Sequence, residues 1–232
     1  YFTGETADYT GLTLTATYSN GVTATVTDGY TVTGFDSATA GTKTLTVEYE
    51  GKTVTFDVTV KAIELVSIEI VTPAEKTEYF VGDAADYTGL TVKATYNNGT
   101  TAMIEDYTVT GFDSTTAGQK TITVEYEGKT VTFDVTVKAV ELESIAIATP
   151  AEKTEYFVGE EADYAGLTIK ANYNNGTTAI VEYNVTGFDS ATAGQKTLTV
   201  EYEGKIATFT VNVKAIELVS IEVATDPVKT SY

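Results

Sequence analysis

Three aspartates recur at one place in the sequence. Asp36, Asp113 and Asp189 each sit in a Gly-Phe-Asp-Ser loop, and Asp8, Asp86 and Asp163 each precede a tyrosine. Carboxylates in loops could hold a hard cation, and calcium is the metal that oxygen ligands of this kind suit. No dense Asp-x-Asp-x-Asp run accompanies them, so turn capping is the favoured reading and calcium the alternative. Lys43, Lys120 and Lys196 follow the same loops. A Lys-Asn cross-link would need a buried lysine, an asparagine and a carboxylate. Each lysine here begins a strand shortly after a glycine, which reads as an exposed, snorkelling side chain. Asn98-Gly-Thr, Asn175-Gly-Thr and Asn184-Val-Thr fit the glycosylation acceptor pattern. The first two are explained by turn chemistry and the third reads as incidental. Among the 16 tyrosines, Tyr96 and Tyr126 fall on the inward register of their strands, which favours packing over a sugar platform.

The missing residue types exclude more chemistry than the present ones suggest. The chain has no Cys, His or Trp, and all 14 basic residues are Lys. That leaves no disulfide, no thiolate, no imidazole base and no bidentate guanidinium. The expectation is a non-catalytic protein with no cofactor. A net charge of -19 repels phosphate backbones and anionic lipid, so nucleic acid is excluded as a partner. No apolar run is long enough to insert into a membrane as a helix. Roughly one residue in five is Thr, a β-branched polar residue suited to the solvated face of a strand.

What positions these residues is a hairpin that occurs three times. Residues 43–60 read KTLTVEYEGKTVTFDVTV, residues 120–137 KTITVEYEGKTVTFDVTV, and residues 196–213 KTLTVEYEGKIATFTVNV. Apolar and polar residues alternate on both sides of a short Glu-Gly turn, the pattern of a β-hairpin with one buried face. Gly4, Gly82 and Gly159 recur at intervals of 78 and 77 residues, a period suited to a small autonomous domain rather than a solenoid turn.

The middle repeat shows the rest of the unit. Residues 67–72 read as a first strand, after which Pro73 breaks ladder pairing, as an edge strand crossing between sheets requires. Pro150 and Pro227 hold the same place. A short extended segment at 78–81 follows, then a strand over 90–96. Asn97-Asn98-Gly99 promises a tight turn with positive φ values. Short strands at 100–104 and 107–110, the Gly111–Gly118 loop and the hairpin complete about seven strands per unit, the count of a β-sandwich. The linker VKAVELES at 137–144 contains neither Gly nor Pro, which favours a stiff connection.

Taken together, EYFVGDAADYTGLTVKATYNNGTT, VTGFD and TAGQKTITVEYEGKTVTFDVTV resemble the bacterial Ig-like repeats of group 3. The resemblance rests on Tyr79, Gly82, Gly89, Leu90, Tyr96, Gly99, Gly118, Val124 and Tyr126, restarts from Tyr156 and from Tyr1, and covers essentially the whole chain. It implies an all-β, rod-like tandem array of three small immunoglobulin-like sandwiches on an extracellular protein, secreted or attached to the cell surface. Spacers, adhesive stalks and accessory modules beside carbohydrate-active domains are the roles it implies, and it transfers no catalytic residue.

The expected organisation is repeat 1 over 1–62, lacking its first strand, repeat 2 over 63–139, repeat 3 over 140–215, and a further first strand over 216–232. The partners expected are the neighbouring repeats. The main functional expectation is a structural stalk or spacer, with a glycan-binding or adhesive module as one alternative. A second alternative is self-association through 220–232, in which an orphan strand with Ile221 and Val223 on one face fills a vacant sheet edge in the next molecule and builds a filament.

Overall fold

Alternating Thr with Val, Ile, Leu and Phe allows each segment only one buried face, so the chain builds paired sheets. The computed structural model describes residues 1–225 and is all-β over them. Repeat 1 contributes β1 (Leu14–Thr17), β2 (Thr23–Val26), β3 (Thr31–Thr33), β4 (Gly41–Tyr49) and β5 (Lys52–Val60). Repeat 2 contributes β6 (Leu65–Thr72), β7 (Glu78–Phe80), β8 (Thr91–Tyr96), β9 (Thr101–Ile104), β10 (Thr108–Thr110), β11 (Gly118–Tyr126) and β12 (Lys129–Lys138). Repeat 3 contributes β13 (Leu142–Thr149), β14 (Glu155–Phe157), β15 (Thr168–Tyr173), β16 (Thr178–Val181), β17 (Asn184–Thr186), β18 (Gly194–Tyr202) and β19 (Lys205–Lys214).

Repeats 2 and 3 each form two sheets, three-stranded β6-β8-β9 and β13-β15-β16, and four-stranded β10-β11-β12-β7 and β14-β19-β18-β17. The chain changes sheet between β6 and β7, and again between β13 and β14, at Pro73 and Pro150. Pro227 lies outside the described residues. The third copy of the hairpin, β18-β19, pairs Leu198 with Phe209 and Val200 with Ala207. Its inward residues Leu198, Val200, Val211 and Val213 are buried, as are Ile122, Val124, Val135 and Val137 in the second copy. The chain divides into two compact units, one comprising Tyr1–Tyr79, Asp83–Ser114 and Gly118–Thr136, the other Phe80–Gly82, Thr115–Ala117 and everything from Val137 onward.

Two turns show how side chain and backbone share the work. Glu50 and Gly51 take φ values of 48° and 74°, two left-handed residues in a row between Tyr49 and Lys52, which twists the hairpin as its strands demand. The Asn-Gly turn differs from expectation. Only Gly99 is left-handed there, at φ 80°. Asn98 acts through its carboxamide instead, accepting from the Thr100 amide at 3.0 Å and the Thr100 hydroxyl at 2.7 Å. Four residues separate β8 from β9, so one positive φ closes the turn where a two-residue type I′ loop would need two.

Gly111 opens the loop that carries Asp113. Its φ is +94°, and a Cβ there would meet the Thr121 carbonyl oxygen at 2.5 Å. Gly111→Ala is therefore expected to destabilise repeat 2 by about 2–3 kcal/mol. Gly99→Ala, also left-handed but facing open space, costs about 1 kcal/mol. Denaturant midpoints of the two variants check the difference.

Candidate functional site

The loop aspartates meet lysines. Asp36 Oδ1 accepts the Ala38 amide at 2.8 Å and Oδ2 lies 3.6 Å from Lys43 Nζ, which also donates to Thr39 Oγ1 at 2.8 Å. Asp189 accepts Ala191 N at 2.8 Å and pairs with Lys196 at 3.5 Å, while Asp113 pairs with Lys120 at 3.7 Å. All three lysine side chains are only 16% exposed. That corrects the expectation of solvated lysines at strand starts. Each stem is covered while its ammonium crosses back to the loop it follows. Lys43 and Lys196 each meet an Asp and a Thr, not the Asn that a Lys-Asn cross-link needs. The capped Ala38 amide first, and then Lys43, holds the Asp36 carboxyl below the usual carboxylate range; Ala191 and Lys196 do the same for Asp189. Each of these three aspartates thus has an ammonium beside it, and among the described residues no three acidic groups converge.

A second set of contacts anchors the far side of the same loops. Tyr79 and Tyr156 are buried to 1% exposure. The Tyr79 hydroxyl donates to the Asp86 carbonyl at 2.5 Å and accepts from the Asp86 amide at 3.3 Å, and its ring meets Phe112 edge-on at 4.7 Å. Tyr156 repeats this with Asp163 and Phe188, and Tyr1 with Asp8 and Phe35. Asp86 Oδ1 in turn accepts the Thr88 hydroxyl at 2.7 Å and the Thr88 amide at 3.0 Å. These Thr88 bonds pull the Asp86 carboxyl below its ordinary pKa, and Thr10 does the same to Asp8. A carboxylate with a depressed folded pKa stabilises the fold fully above its unfolded pKa of about 4 and loses that contribution as pH falls through the lower folded value. Below about pH 4, then, the gap in melting temperature between the wild type and Asp86→Asn is expected to close. Melting curves between pH 6 and 2 measure it; a gap that stays constant would mean that the Asp86 charge is not what matters.

Tyr96 and Tyr126 pack against the repeat 2 core, and the neighbouring Tyr96 side chain, then burial, raise the Tyr126 pKa. Asn184 is exposed on β17, and Asn175 caps Thr177 as Asn98 caps Thr100.

Two further features belong to the connections and the first repeat. One, outside the sequence reading, is a pair of linker clamps. Asn97 Nδ2 donates to the Ala62 carbonyl at 3.0 Å, Asn97 Oδ1 accepts the Glu64 amide at 3.1 Å, and Asn97 N donates to the Glu64 carbonyl at 3.0 Å. Asn174 makes the same three bonds to Ala139 and Glu141, all at 3.0 Å. The other is a groove of about 500 Å³ in repeat 1, between β1 and the β4-β5 hairpin, lined by Leu14, Ala16, Tyr18, Val47, Tyr49 and Val54 among others. It runs where β6 and β13 lie in the other repeats.

Ile221 and Val223 are 86% and 76% exposed. The expected strand over 216–232 is not formed within 216–225, which runs without ladder pairing. A strand needs a neighbour to satisfy its backbone, and this segment has none among the described residues. The remainder, 226–232, lies outside the described residues.

Comparison with known proteins adds the following. The family described as bacterial Ig-like domain (group 3) matches residues 1–60, 72–137 and 149–213. Pectate lyase L of Thermoclostridium stercorarium is 35% identical over 249 residues, covering 100% of this chain and 20% of that protein. An exo-beta-1,6-galactobiohydrolase of Bifidobacterium longum subsp. longum is 45% identical over 103 residues, covering 41% of this chain and 7% of that protein. The chain thus spans a fifth or less of the length of these curated relatives. Among solved structures, domains 1-6 of the surface layer protein SbsC align over 89% of this chain and 38% of that one, at 17% identity and a TM-score of 0.41.

Proposed function

The chain belongs to the bacterial Ig-like domain family of group 3, and from that premise we propose that it is a non-catalytic spacer of a longer extracellular protein. Its tandem domains would set the distance between modules that bind or act elsewhere in the polypeptide. The observation that carries this reading is the pair of linker clamps at Asn97 and Asn174. A short linker free of Gly and Pro already limits bending. An asparagine that bonds the linker at three points, two through its carboxamide and one through its backbone amide, removes much of what freedom is left. A binding module has no need to fix its connectors, whereas a spacer works only if it holds its length.

The two curated relatives support the context. Both are named for enzymes acting on carbohydrate, and in both the matched stretch is a minor share of the whole. The modules spaced by this chain are accordingly proposed to be of the polysaccharide-acting class.

Small-angle scattering tests the reading. At about 35–45 Å per sandwich, the chain is expected to show a maximum dimension of roughly 105–135 Å, and the Asn97→Ala/Asn174→Ala variant a broader distance distribution. A compact particle, or a variant that scatters identically, would remove the support. Affinity electrophoresis in gels containing polygalacturonate addresses the competing glycan-binding reading: unretarded migration is expected, and retardation would turn the reading to a carbohydrate-binding module.

A further inference from the structure

We propose that Asn98-Gly99 and Asn175-Gly176 are latent sites of spontaneous chemical conversion, that the Thr100 and Thr177 hydroxyls hold them shut, and that opening either one releases the linker clamp beside it. The inference goes beyond the spacer reading and can fail while that reading holds. An asparagine followed by glycine can convert itself. The glycine nitrogen, once it has given up its proton, attacks the asparagine Cγ. The new C–N bond closes a five-membered imide, and Nδ2 takes up the proton and leaves as ammonia. Water then opens the imide at one of its two carbonyls. The products are aspartate, or isoaspartate, in which the backbone runs through the side chain and is one atom longer. Glycine favours ring closure because no Cβ shields its nitrogen or restricts its backbone. Gly99 and Gly176 are exposed, and a Cβ on either would meet nothing within 4 Å. Burial therefore does not protect the attacking nitrogen.

Hydrogen bonding does. The Gly99 N–H donates to the Tyr96 carbonyl at 2.9 Å, and the Gly176 N–H to the Tyr173 carbonyl at 2.9 Å. Asn98 Oδ1 is held by the Thr100 amide and hydroxyl, and Asn175 Oδ1 accepts the Thr177 amide at 3.0 Å and its hydroxyl at 2.6 Å. Bonds to Oδ1 polarise the carbonyl, which by itself would invite attack. The ring closes, however, only after the glycine N–H has left its carbonyl and Cγ has turned onto the nitrogen. Those movements break the turn, so polarisation acts on the closed form, which does not react. Repeat 1 carries the same pair at Asn20-Gly21, with the Gly21 N–H on the Tyr18 carbonyl at 2.9 Å. There Val22 offers Asn20 Oδ1 its amide, at 3.1 Å, and no hydroxyl. The clamp residues Asn97 and Asn174 adjoin the reactive pairs. The Tyr96 N–H donates to the Thr100 carbonyl at 2.9 Å, so the turn is tied at both ends around Asn97. A backbone one atom longer cannot keep both ties, and Asn97 then loses its aim at Ala62 and Glu64.

The test is to age the full-length chain at mildly alkaline pH, where the nitrogen gives up its proton more readily. Peptide mass reports an amide becoming an acid, and enzymatic methylation reports isoaspartate. With the glycine N–H and both Oδ1 bonds to break, conversion at Asn98 and Asn175 is expected to run about a hundredfold slower in the folded chain than in urea. Thr100→Val should speed Asn98 roughly two- to tenfold and leave Asn175 unmoved. Thr100→Ser keeps the hydroxyl and should convert at the wild-type rate. Thr100 is exposed, so both variants fold. Val22→Thr should slow Asn20 by about the same factor, a comparison made within one repeat. After conversion, the Glu64 amide, which donates to Asn97 Oδ1, should exchange at least about tenfold faster. Equal rates in the folded and unfolded chain, a valine variant that converts no faster, a serine variant as fast as the valine one, or a Glu64 amide still protected after conversion would each overturn the proposal.

Discussion

Leu198→Ala is expected to remove about 3–4 kcal/mol from the third repeat and lower its melting temperature by roughly 12–25 °C. Leu198 is fully buried at the centre of β18, packed with Tyr156, Val211 and Val213. Three carbons, a methine and its two methyls, vanish there, and strands hydrogen-bonded on both sides cannot collapse into the void. A domain of this size holds only about 4–11 kcal/mol in all, so the loss is a large share of what keeps it folded. The neighbouring Thr197 faces solvent on the same strand, and Thr197→Ala should stay within about 0.5 kcal/mol of the wild type. Calorimetry of the two variants decides the matter. Similar losses from both would mean that the alternation along β18 does not separate core from surface.

That same alternation explains why so much of the fold was legible in the sequence. A period of two, repeated three times with the same turn, forces Leu45, Ile122 and Leu198 inward whatever the details of the loops. Local chemistry also placed the sheet change at Pro73. What escaped was interaction over distance. Asn97 reads as one more turn residue, because its bonds to Ala62 and Glu64 reach back 35 and 33 residues. A trace of it was visible: the second and third repeats, whose preceding linkers are in the sequence, both carry Tyr-Asn-Asn-Gly. Lys43 was misplaced for a related reason. Its position at a strand start says nothing about Asp36 and Thr39, which fold back over its stem. The groove beside β1 could be inferred as a missing strand, but only the exposure of Leu14 and Ala16 shows that the remaining strands do not close over it.

The first repeat is expected to unfold before the other two. In a fragment limited to residues 1–232 it has no counterparts of Leu65, Ile68 and Ile70, which pack against the repeat 2 core. Side chains of this size contribute about 1.5–3 kcal/mol each when fully buried, and two of these three are only partly covered, so the deficit is about 3–5 kcal/mol. β1 and β2 form a two-stranded sheet, an arrangement that is marginal without further strands. Amides of β1 and β2 should therefore exchange about a hundredfold or more faster than those of β8 and β9, since each 1.4 kcal/mol is a factor of ten in the opening equilibrium. Equal protection would show that the β4-β5 hairpin alone suffices to hold the sheet. The deficit should also be reversible from outside. A peptide with the sequence of β6, LVSIEIVT, binds only the folded groove, so it should raise the first transition with its concentration and leave the other two unmoved. That selectivity matters, because a peptide that merely stuck to apolar surface would shift all three.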